Sequence, residues 1–253
     1  MSIRAITQHN RHQWDAISAE RRPRAAAFFV DGGSTLDESE RAALGDLTGK
    51  RVLHLMCATG NESFSLTGLG AEVVGVDISA VAIGLARDEA ERLAGAPSFV
   101  VADVYDLPDD LGVFDVVHLS AGAVCWLPDL AEWARIVVER LRPGGRLVVH
   151  EHHPLWEVLA VDGEARVRVT GDYFERGTPA DRDNPATAPL GWRSESDFVS
   201  FVWPIGDIVT ALLGVGLTIT GLREDPVPAM YDGLGPAAGT LPATYTLTAR
   251  RGD

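Results

Sequence analysis

Two acidic residues in this chain stand directly after apolar segments that are typical of buried strands. Asp77 follows the segment 72–76, and Asp103 follows the segment 98–102. Upstream, the apolar segment 51–56 runs into a turn of small residues that opens a helix. Such a turn lets the backbone approach a ligand, a helix N-terminus supplies N–H groups, and a strand-end carboxylate accepts hydrogen bonds from ribose hydroxyls. The order strand, turn, helix, strand, acid therefore predicts a site for an adenosine-type cofactor.

The turn itself separates two classes of cofactor. It reads Met56-Cys57-Ala58-Thr59-Gly60 and contains a single glycine. A nicotinamide dinucleotide needs several glycines at this place because its pyrophosphate touches the backbone. A ligand that has no phosphate and carries a smaller amino-acid end fits one glycine better. A nicotinamide-dependent oxidoreductase stays open as the less favoured alternative.

A further group of titratable residues follows the apolar segment 146–150. Glu151, His152 and His153 offer side chains that can accept a proton near neutral pH, so Glu151 and His152 are candidate catalytic residues. A solvated loop or a capping hydrogen bond is the alternative interpretation. Extended geometry places His150 and His152 on one side and the other two on the opposite side, so one pair alone can face a site. Adjacent histidines that point in different directions do not make a metal site, and we predict none.

Alternating strand and helix patterns must position these residues. The predicted strands are 51–56, 72–76, 98–102, 114–119, 146–150, 217–222 and an edge strand at 243–248. The predicted helices are 61–69, 79–93, 128–141 and 203–214. This repetition predicts an α/β fold, a Rossmann-like three-layer sandwich around a mostly parallel seven-stranded sheet with one antiparallel strand. Residues 5–45 look helical and peripheral, and the Pro- and Gly-rich stretch after His153 looks like an inserted antiparallel flap.

Length, charge and cysteine content limit the domain organisation and the classes of partner that this chain can have. A chain of 253 residues suits a single domain, here 1–253, with an N-terminal helical lid at 1–48 and an inserted substrate cap at 153–200. A formal net charge of −14 argues against nucleic acid or an anionic membrane as the main partner. Two cysteines in apolar contexts favour reduced thiols, and the N-terminus lacks a signal-peptide pattern. We expect a cytoplasmic protein that is a monomer or a homodimer.

At this point the sequence resembles the class I S-adenosylmethionine-dependent methyltransferases. Residues 52–60 occupy the first motif of that family, 75–79 the second, 101–103 the third, and 141–145 the turn before the fifth strand. The chain departs from the family at three places of the first motif. His54 stands where the family has an acid that organises the turn and the ammonium group of the ligand. Met56 and Ala58 stand where it has glycines.

The resemblance implies S-adenosyl-L-methionine as cofactor. It implies that Asp77 binds the ribose hydroxyls, that Asp103 binds the adenine amine, and that the turn near Gly60 binds the methionine portion. It also implies that the segment around Trp14 closes over the cofactor and the acceptor. The full set of predicted cofactor contacts is Trp14, Met56, Cys57, Ala58, Gly60, Asn61, Asp77, Ile78, Asp103, Val104 and Ser120.

Aromatic side chains are concentrated outside the strand and helix repeat, which indicates the walls of a pocket for an apolar or aromatic molecule. The predicted acceptor contacts are Phe28, Trp126, His153, Trp156, Tyr173 and Tyr231. The sequence thus predicts a methyltransferase that acts on a small aromatic or heterocyclic metabolite, of the kind found in bacterial secondary metabolism. The altered first motif leaves open an enzyme that uses the same cofactor structurally, in a cyclisation. The acceptor atom, nitrogen, carbon or oxygen, also stays open.

Overall fold

The structure is a computed structural model that describes residues 1–174 and 198–253. The helices are α1 (Ile3–Glu20), α2 (Ala26–Val30), α3 (Glu38–Leu44), α4 (Asn61–Gly68), α5 (Ala80–Ala90), α6 (Leu130–Arg140), α7 (Pro154–Glu157) and α8 (Ile205–Gly214). The strands are β1 (Arg51–Leu55), β2 (Glu72–Asp77), β3 (Ser98–Val101), β4 (Phe114–Leu119), β5 (Leu141–His152), β6 (Leu159–Val161), β7 (Val167–Val169), β8 (Thr218–Asp225) and β9 (Thr244–Arg250).

Seven strands form one sheet in the order β3-β2-β1-β4-β5-β9-β8. Neighbours from β3 to β5 are parallel, whereas β9 is antiparallel to both β5 and β8. The predicted mostly parallel seven-stranded sheet with one antiparallel strand is confirmed. Strand order reverses between β1 and β4, and in open sheets of this kind ligands bind in the crevice beyond the carboxyl ends of the strands at such a switch point.

Continuous burial explains why the central strands read as apolar runs rather than as alternating patterns. Val52, Leu53 and Leu55 of β1 are fully buried, because helices cover both faces of the sheet. On α6, Trp133 is fully buried in the core beside the sheet. This helix begins at Leu130, where the Asp129 side chain accepts a hydrogen bond from the Glu132 N–H at 3.0 Å.

The prediction of an edge strand at 243–248 was wrong, because β9 lies between β5 and β8 and the edge strand is β8. Its sequence alternates threonine with larger residues, which resembles a strand with one wet face. The threonine face is in fact buried as well: Thr246 is 4% exposed and bonds His150 at 2.9 Å. In the sequence, a threonine whose hydroxyl is hydrogen-bonded inside the fold cannot be distinguished from a threonine that faces solvent.

Strand five also differs from its predicted bounds. It begins at Leu141 rather than at 146, so the predicted turn 141–145 lies within the strand. A register shift between Phe114 and Val116 of the neighbouring strand accommodates the extra residues. At the other end it continues to His152, which brings the titratable group to the carboxyl edge of the sheet.

The segment after β5 contains α7 and a short antiparallel hairpin of β6 and β7, which forms a sheet of its own. Residues 175–197 of the predicted flap lie outside the described residues. At the N-terminus, α1 contacts the start of α5, where Asp15 accepts hydrogen bonds from the Ser79 hydroxyl at 2.7 Å and the Val81 N–H at 3.3 Å. Within the described ranges, no helix is both long and apolar enough to cross a membrane.

Candidate functional site

A cavity of about 500 Å³ lies at the carboxyl ends of the parallel strands. It is lined by the turn after β1, by the ends of β2 to β5, and by the N-terminal helix α1. Thirteen predicted site residues line it: Trp14, Met56, Cys57, Ala58, Asn61, Asp77, Ile78, Asp103, Val104, Ser120, Trp126, His152 and Trp156. The volume is in the range of pockets that hold small molecules, roughly 300–1,000 Å³.

The turn after β1 holds its residues in an uncommon backbone conformation. Met56 has φ 57°, Ala58 has φ 47° and Gly60 has φ 82°. Residues with a Cβ rarely adopt this left-handed region, and they persist there when the surrounding structure over-determines the backbone. The two positions at which the sequence departs from the glycines of the resembling family are therefore positions that favour glycine. Strain at Met56 and Ala58 makes the turn a candidate functional feature.

Gly60 does not line the cavity, in contrast to its prediction as a cofactor contact. A Cβ built at Gly60 would lie 2.6 Å from the Phe99 ring. The glycine is thus required for packing against β3 as well as for its positive φ. Thr59, which the sequence analysis did not select, lines the cavity from the same turn.

Asp77 ties the turn to the start of α5. One carboxylate oxygen accepts the Ala58 N–H at 2.8 Å, and the other accepts the Ser79 N–H at 2.9 Å. Each oxygen has a second lone pair, so both can still accept a hydrogen bond from a ligand in the cavity. Burial raises the pKa of the Asp77 carboxyl, and the two backbone bonds and the nearby Arg21 oppose that shift. These contacts fit a group that must present two acceptors to a diol.

Asp103 lines the same cavity at the end of β3. Its carboxylate accepts the Tyr105 N–H at 3.0 Å, which orients the side chain at the start of the loop. Ile78 and Val104 line the cavity next to the two acids. An apolar residue beside each strand-end acid suits a flat heterocycle held at its edge by hydrogen bonds.

His54 takes the place of the acid of the resembling family and is fully buried in β1. Its Nδ1 lies 2.8 Å from the Ser63 hydroxyl, and its Nε2 lies 3.0 Å from the Ser120 hydroxyl. Burial and the neighbouring His118 lower its pKa well below the usual value, so the imidazole is neutral near pH 7. His54 therefore links α4 to the end of β4 without supplying a negative charge.

Glu151 is buried, and its carboxylate is fully used by backbone. One oxygen accepts the N–H groups of Gly122 and His152, and the other accepts those of Ala123 and Val124 at 2.7 Å each. Four backbone donors hold the loop after β4 on this side chain. It does not line the cavity. The prediction of Glu151 as a proton acceptor is therefore revised, because its lone pairs serve the loop.

His152 lies on the cavity side of β5, as does His150. Its ring packs at 5.0 Å from the Trp156 ring, and its Nδ1 is 3.8 Å from a Glu151 oxygen. Burial lowers the pKa of His152 below its usual value, and this outweighs the raising effect of the Glu151 charge. A neutral imidazole beside the cavity is in the correct protonation state to accept a proton.

Four predicted acceptor contacts do not line the cavity, each for a packing reason. His153 directly follows β5 as the buried N-cap of α7, where its Nε2 lies 2.7 Å from Glu224 and its Nδ1 accepts the Leu155 N–H. Phe28 packs against Phe29 in α2. Tyr173 packs against Phe174, and Tyr231 is buried with its hydroxyl donating to the Pro242 carbonyl at 2.8 Å. For Tyr231, the adjacent Met230 lines the cavity instead.

Three aromatic rings meet where α1 approaches the loop after β4. The Trp14 ring lies 5.2 Å from the Trp126 ring, and the Phe198 ring lies 5.0 Å from each. The Asn10 amide exchanges two hydrogen bonds with the Val199 backbone, at 2.7 and 2.9 Å. These contacts hold the N-terminal helix over the cavity.

Other lining residues were missed by sequence reasoning. They are polar groups scattered over α1, the residue after it, the 35–40 segment and α4: Asn10, Arg21, Asp37, Glu40 and Glu62. No periodicity distinguishes them from surface residues. The one available signal was the position of Glu62, which directly follows a predicted cofactor contact in the first turn of a helix.

Comparison with known proteins identifies a family domain in the part of the chain from β1 to the start of β5. Residues 52–145 match the family described as "Methyltransferase domain". A demethylmenaquinone methyltransferase of Clavibacter sepedonicus is 39% identical over 114 residues, which are 43% of this chain and 44% of that protein. A chloroplastic tocopherol O-methyltransferase of Arabidopsis thaliana is 36% identical over 104 residues, or 40% of this chain and 29% of that protein. The chain thus spans less than half the length of these relatives.

Similarity in three dimensions extends further along the chain. A crystal structure of an S-adenosylmethionine-dependent methyltransferase from Mesorhizobium loti covers 84% of this chain, and 96% of that chain is matched. Its TM-score is 0.65 and its sequence identity is 23%. The two proteins share their fold.

Proposed function

We propose that this chain, which has the class I S-adenosylmethionine-dependent methyltransferase fold and carries that family's domain at 52–145, transfers a methyl group from S-adenosyl-L-methionine to a small aromatic or heterocyclic metabolite. The observation that carries the proposal is Asp77. Its two oxygens are anchored by backbone at the end of β2, and the side chain lines a cavity together with the turn after β1. This is the arrangement that an adenosine group requires.

Within this proposal, the cofactor lies across the ends of β1 to β3. Asp77 accepts hydrogen bonds from the ribose hydroxyls, and Asp103 accepts one from the adenine amine. Ile78 and Val104 contact the faces of the adenine ring. The methionine portion lies along Met56, Cys57, Ala58 and Asn61, with Ser120 at the end of β4 and Trp14 covering it. A sulfonium carries an already activated methyl group, so the protein has mainly to align the acceptor and to exclude water.

The acceptor binds on the other side of the cavity, among Cys125, Trp126, Trp156 and Met230. These residues are apolar or aromatic, and they favour a flat organic molecule. Two of the relatives are named for demethylmenaquinone and tocopherol, both small molecules, which supports this class of substrate. The other predicted contacts, Phe28, His153, Tyr173 and Tyr231, do not line the cavity and are not part of the acceptor site in this proposal.

His152 is the general base in this proposal, and Glu151 is its positioning residue. Glu151 orders the loop after β4, and Gly122 of that loop packs beside the His152 ring, whose Cε1 lies 3.9 Å from the place of a Gly122 Cβ. A neutral His152 can accept the proton that an acceptor hydroxyl, amine or acidic carbon loses as it is methylated.

The peripheral segments complete the site. Residues 1–48 act as a lid and residues 153–200 as a substrate cap on a single domain. The contacts of α1 with Ser79 and with the backbone of Val199 support the first of these roles. Hydrogen exchange in residues 5–30 tests it, because exchange that slows on addition of S-adenosylhomocysteine is expected for a lid. Exchange that is identical with and without this ligand would leave α1 as a packed helix only.

Calorimetry tests the cofactor. We expect S-adenosylhomocysteine to bind and NAD not to bind. The opposite result would contradict the proposed methyltransferase and favour a nicotinamide-dependent oxidoreductase. Incubation with S-adenosylmethionine and a set of hydroquinones, phenols and nitrogen heterocycles then tests the reaction. A product heavier by one methyl group supports transfer. A rearranged product of unchanged mass would instead support the structural use of the cofactor in a cyclisation, to which the neutral His54 points.

A further inference from the structure

Among the described residues, one carboxylate at the acidic end of the cavity forms no ion pair. Asp37, Glu40 and Glu62 all line this end. Asp37 lies 2.9 Å from His150 Nε2, and Glu40 lies 2.8 Å from His118 Nε2. Glu62 has the Thr35 hydroxyl as its side-chain partner, and His118, which pairs with Glu40, adds a weaker electrostatic attraction. None of the ion pairs among the described residues includes Glu62. An acid that faces a cavity without a basic partner is a candidate contact for a cation.

Glu62 also stands beside the position where the family's acid is missing. It is in the first turn of α4, and the next residue, Ser63, bonds His54 Nδ1. The preceding residue, Asn61, lines the same cavity. Glu62 is therefore adjacent in sequence to Ser63, the residue that bonds His54 at the position where the family has an acid. Because His54 is neutral, the turn after β1 supplies no negative charge of its own at this place.

From this geometry we infer that Glu62 binds the α-ammonium group of the cofactor's methionine portion, in place of the acid that His54 replaces. The inference rests on the proposed function, since it assigns a residue to the same ligand. A carboxylate that accepts from an ammonium group forms a charge-assisted hydrogen bond, which is stronger than a neutral one and most effective when water is excluded. Burial raises the pKa of Glu62, and an ammonium group beside it would oppose that shift.

The test compares two ligands that differ by the amino group alone. Calorimetry measures the binding of S-adenosylhomocysteine and of its deamino analogue to the full chain and to the Glu62→Gln variant. We expect the variant to lose about 10- to 100-fold in affinity for S-adenosylhomocysteine, the scale of a hydrogen bond to a charged group. The affinity for the deamino analogue is expected to change by less than about three-fold, because the analogue makes no contact with the carboxylate.

Glu132→Gln is the matched control. Glu132 is also in the first turn of a helix, α6, but it lies on the surface with Arg135 and away from the cavity. Its substitution is expected to change neither affinity, and thermal melting of both variants shows whether each is folded. If Glu62→Gln has an unchanged affinity for both ligands, or loses affinity for both equally, the assignment of Glu62 is wrong but the proposed cofactor is unaffected. If the unsubstituted protein binds neither ligand, the proposed function fails and the assignment fails with it.

Discussion

The two halves of the cavity are built in different ways. On the side of β1 to β3, the two strand-end acids bond residues no more than 19 positions away: Asp77 bonds Ala58 and Ser79, and Asp103 bonds Tyr105. On the side of β4 and β5, the contacts come from distant segments: Glu151 holds the loop 122–124, and Asn10 pairs with Val199. A local half can be recognised in a sequence, whereas a long-range half depends on the tertiary fold. The comparison also predicts that single substitutions cost more stability in the second half.

The largest expected effect is the loss of the Glu151 carboxylate. Glu151→Ala would leave four backbone N–H groups near the core without their acceptor, and each unsatisfied buried group costs about 1–3 kcal/mol. Allowing for partial relaxation and access of water, we expect about 3–5 kcal/mol of destabilisation in urea unfolding.

Glu72→Gln serves as the control for this measurement. Glu72 forms an exposed ion pair with Arg51, and such pairs contribute about 0–1 kcal/mol. A loss for Glu151→Ala no larger than that of the control would mean that the loop after β4 stands without the carboxylate. The side of β4 and β5 would then not depend more on its long-range contacts than the side of β1 to β3.

His152→Asn tests whether the long-range half also does the chemistry. We expect turnover to fall about 100-fold, the scale of general base catalysis, with the affinity for S-adenosylhomocysteine nearly unchanged. Because burial lowers the pKa of His152, its neutral form persists below the usual histidine range. The rate should therefore be flat through pH 7 and fall only at acid pH, below the depressed pKa, and the substitution should abolish that fall. A decrease of a few-fold would reduce His152 to a wall of the site.

Asp77→Ala tests the local half. A carboxylate that accepts both ribose hydroxyls makes two charge-assisted bonds, so the affinity for S-adenosylhomocysteine should drop by about 2–3 kcal/mol. Asp103→Ala should cost about 1 kcal/mol, because one neutral amine is involved. Calorimetry gives both values. Equal binding by Asp77→Ala and the parent protein would show that the adenosine group lies elsewhere.

Ala58→Gly has the smallest expected effect and the opposite sign. Ala58 has φ 47°, a conformation that costs a residue with a Cβ about 1 kcal/mol, while glycine adopts it freely at some cost in entropy of the unfolded chain. We expect a net gain of a few tenths of a kcal/mol in urea unfolding. Gly60→Ala is the counterpart and should destabilise, since its Cβ would meet the Phe99 ring. A loss of stability in Ala58→Gly would mean that the turn is not strained at this residue.

Much of the fold could be predicted because β-α repetition is a local pattern. The strands from β1 to β4 were predicted to within two residues, since each is a short apolar run that ends at a turn signal. The place of the last strand was not predictable, because β9 pairs with β5 across about a hundred residues of intervening chain, and its threonine face is buried by that pairing. Alternation cannot distinguish a wet face from one covered by another strand.

The same limit applies to the site. Glu151 and His152 are adjacent in sequence and equally suited to accept a proton, and residue type alone does not separate them. The structure separates them through the backbone N–H groups of residues 122–124, which arrive from a different strand and occupy the carboxylate. Alternation along β5 then leaves His152 on the cavity side.

What the sequence determined by itself is the class of fold and the residues at the ends of the first strands. These depend on apolar runs, turn residues and strand-end acids, whose spacing is short and whose geometry is set by the backbone. What only the tertiary structure decided is which charges are matched. His54, Glu62 and Glu151 look alike in a sequence as polar groups near a turn, yet one is neutralised by burial, one faces the cavity and one is used by backbone donors. Hydrogen bonds and ion pairs between residues distant in sequence depend on how the whole chain packs.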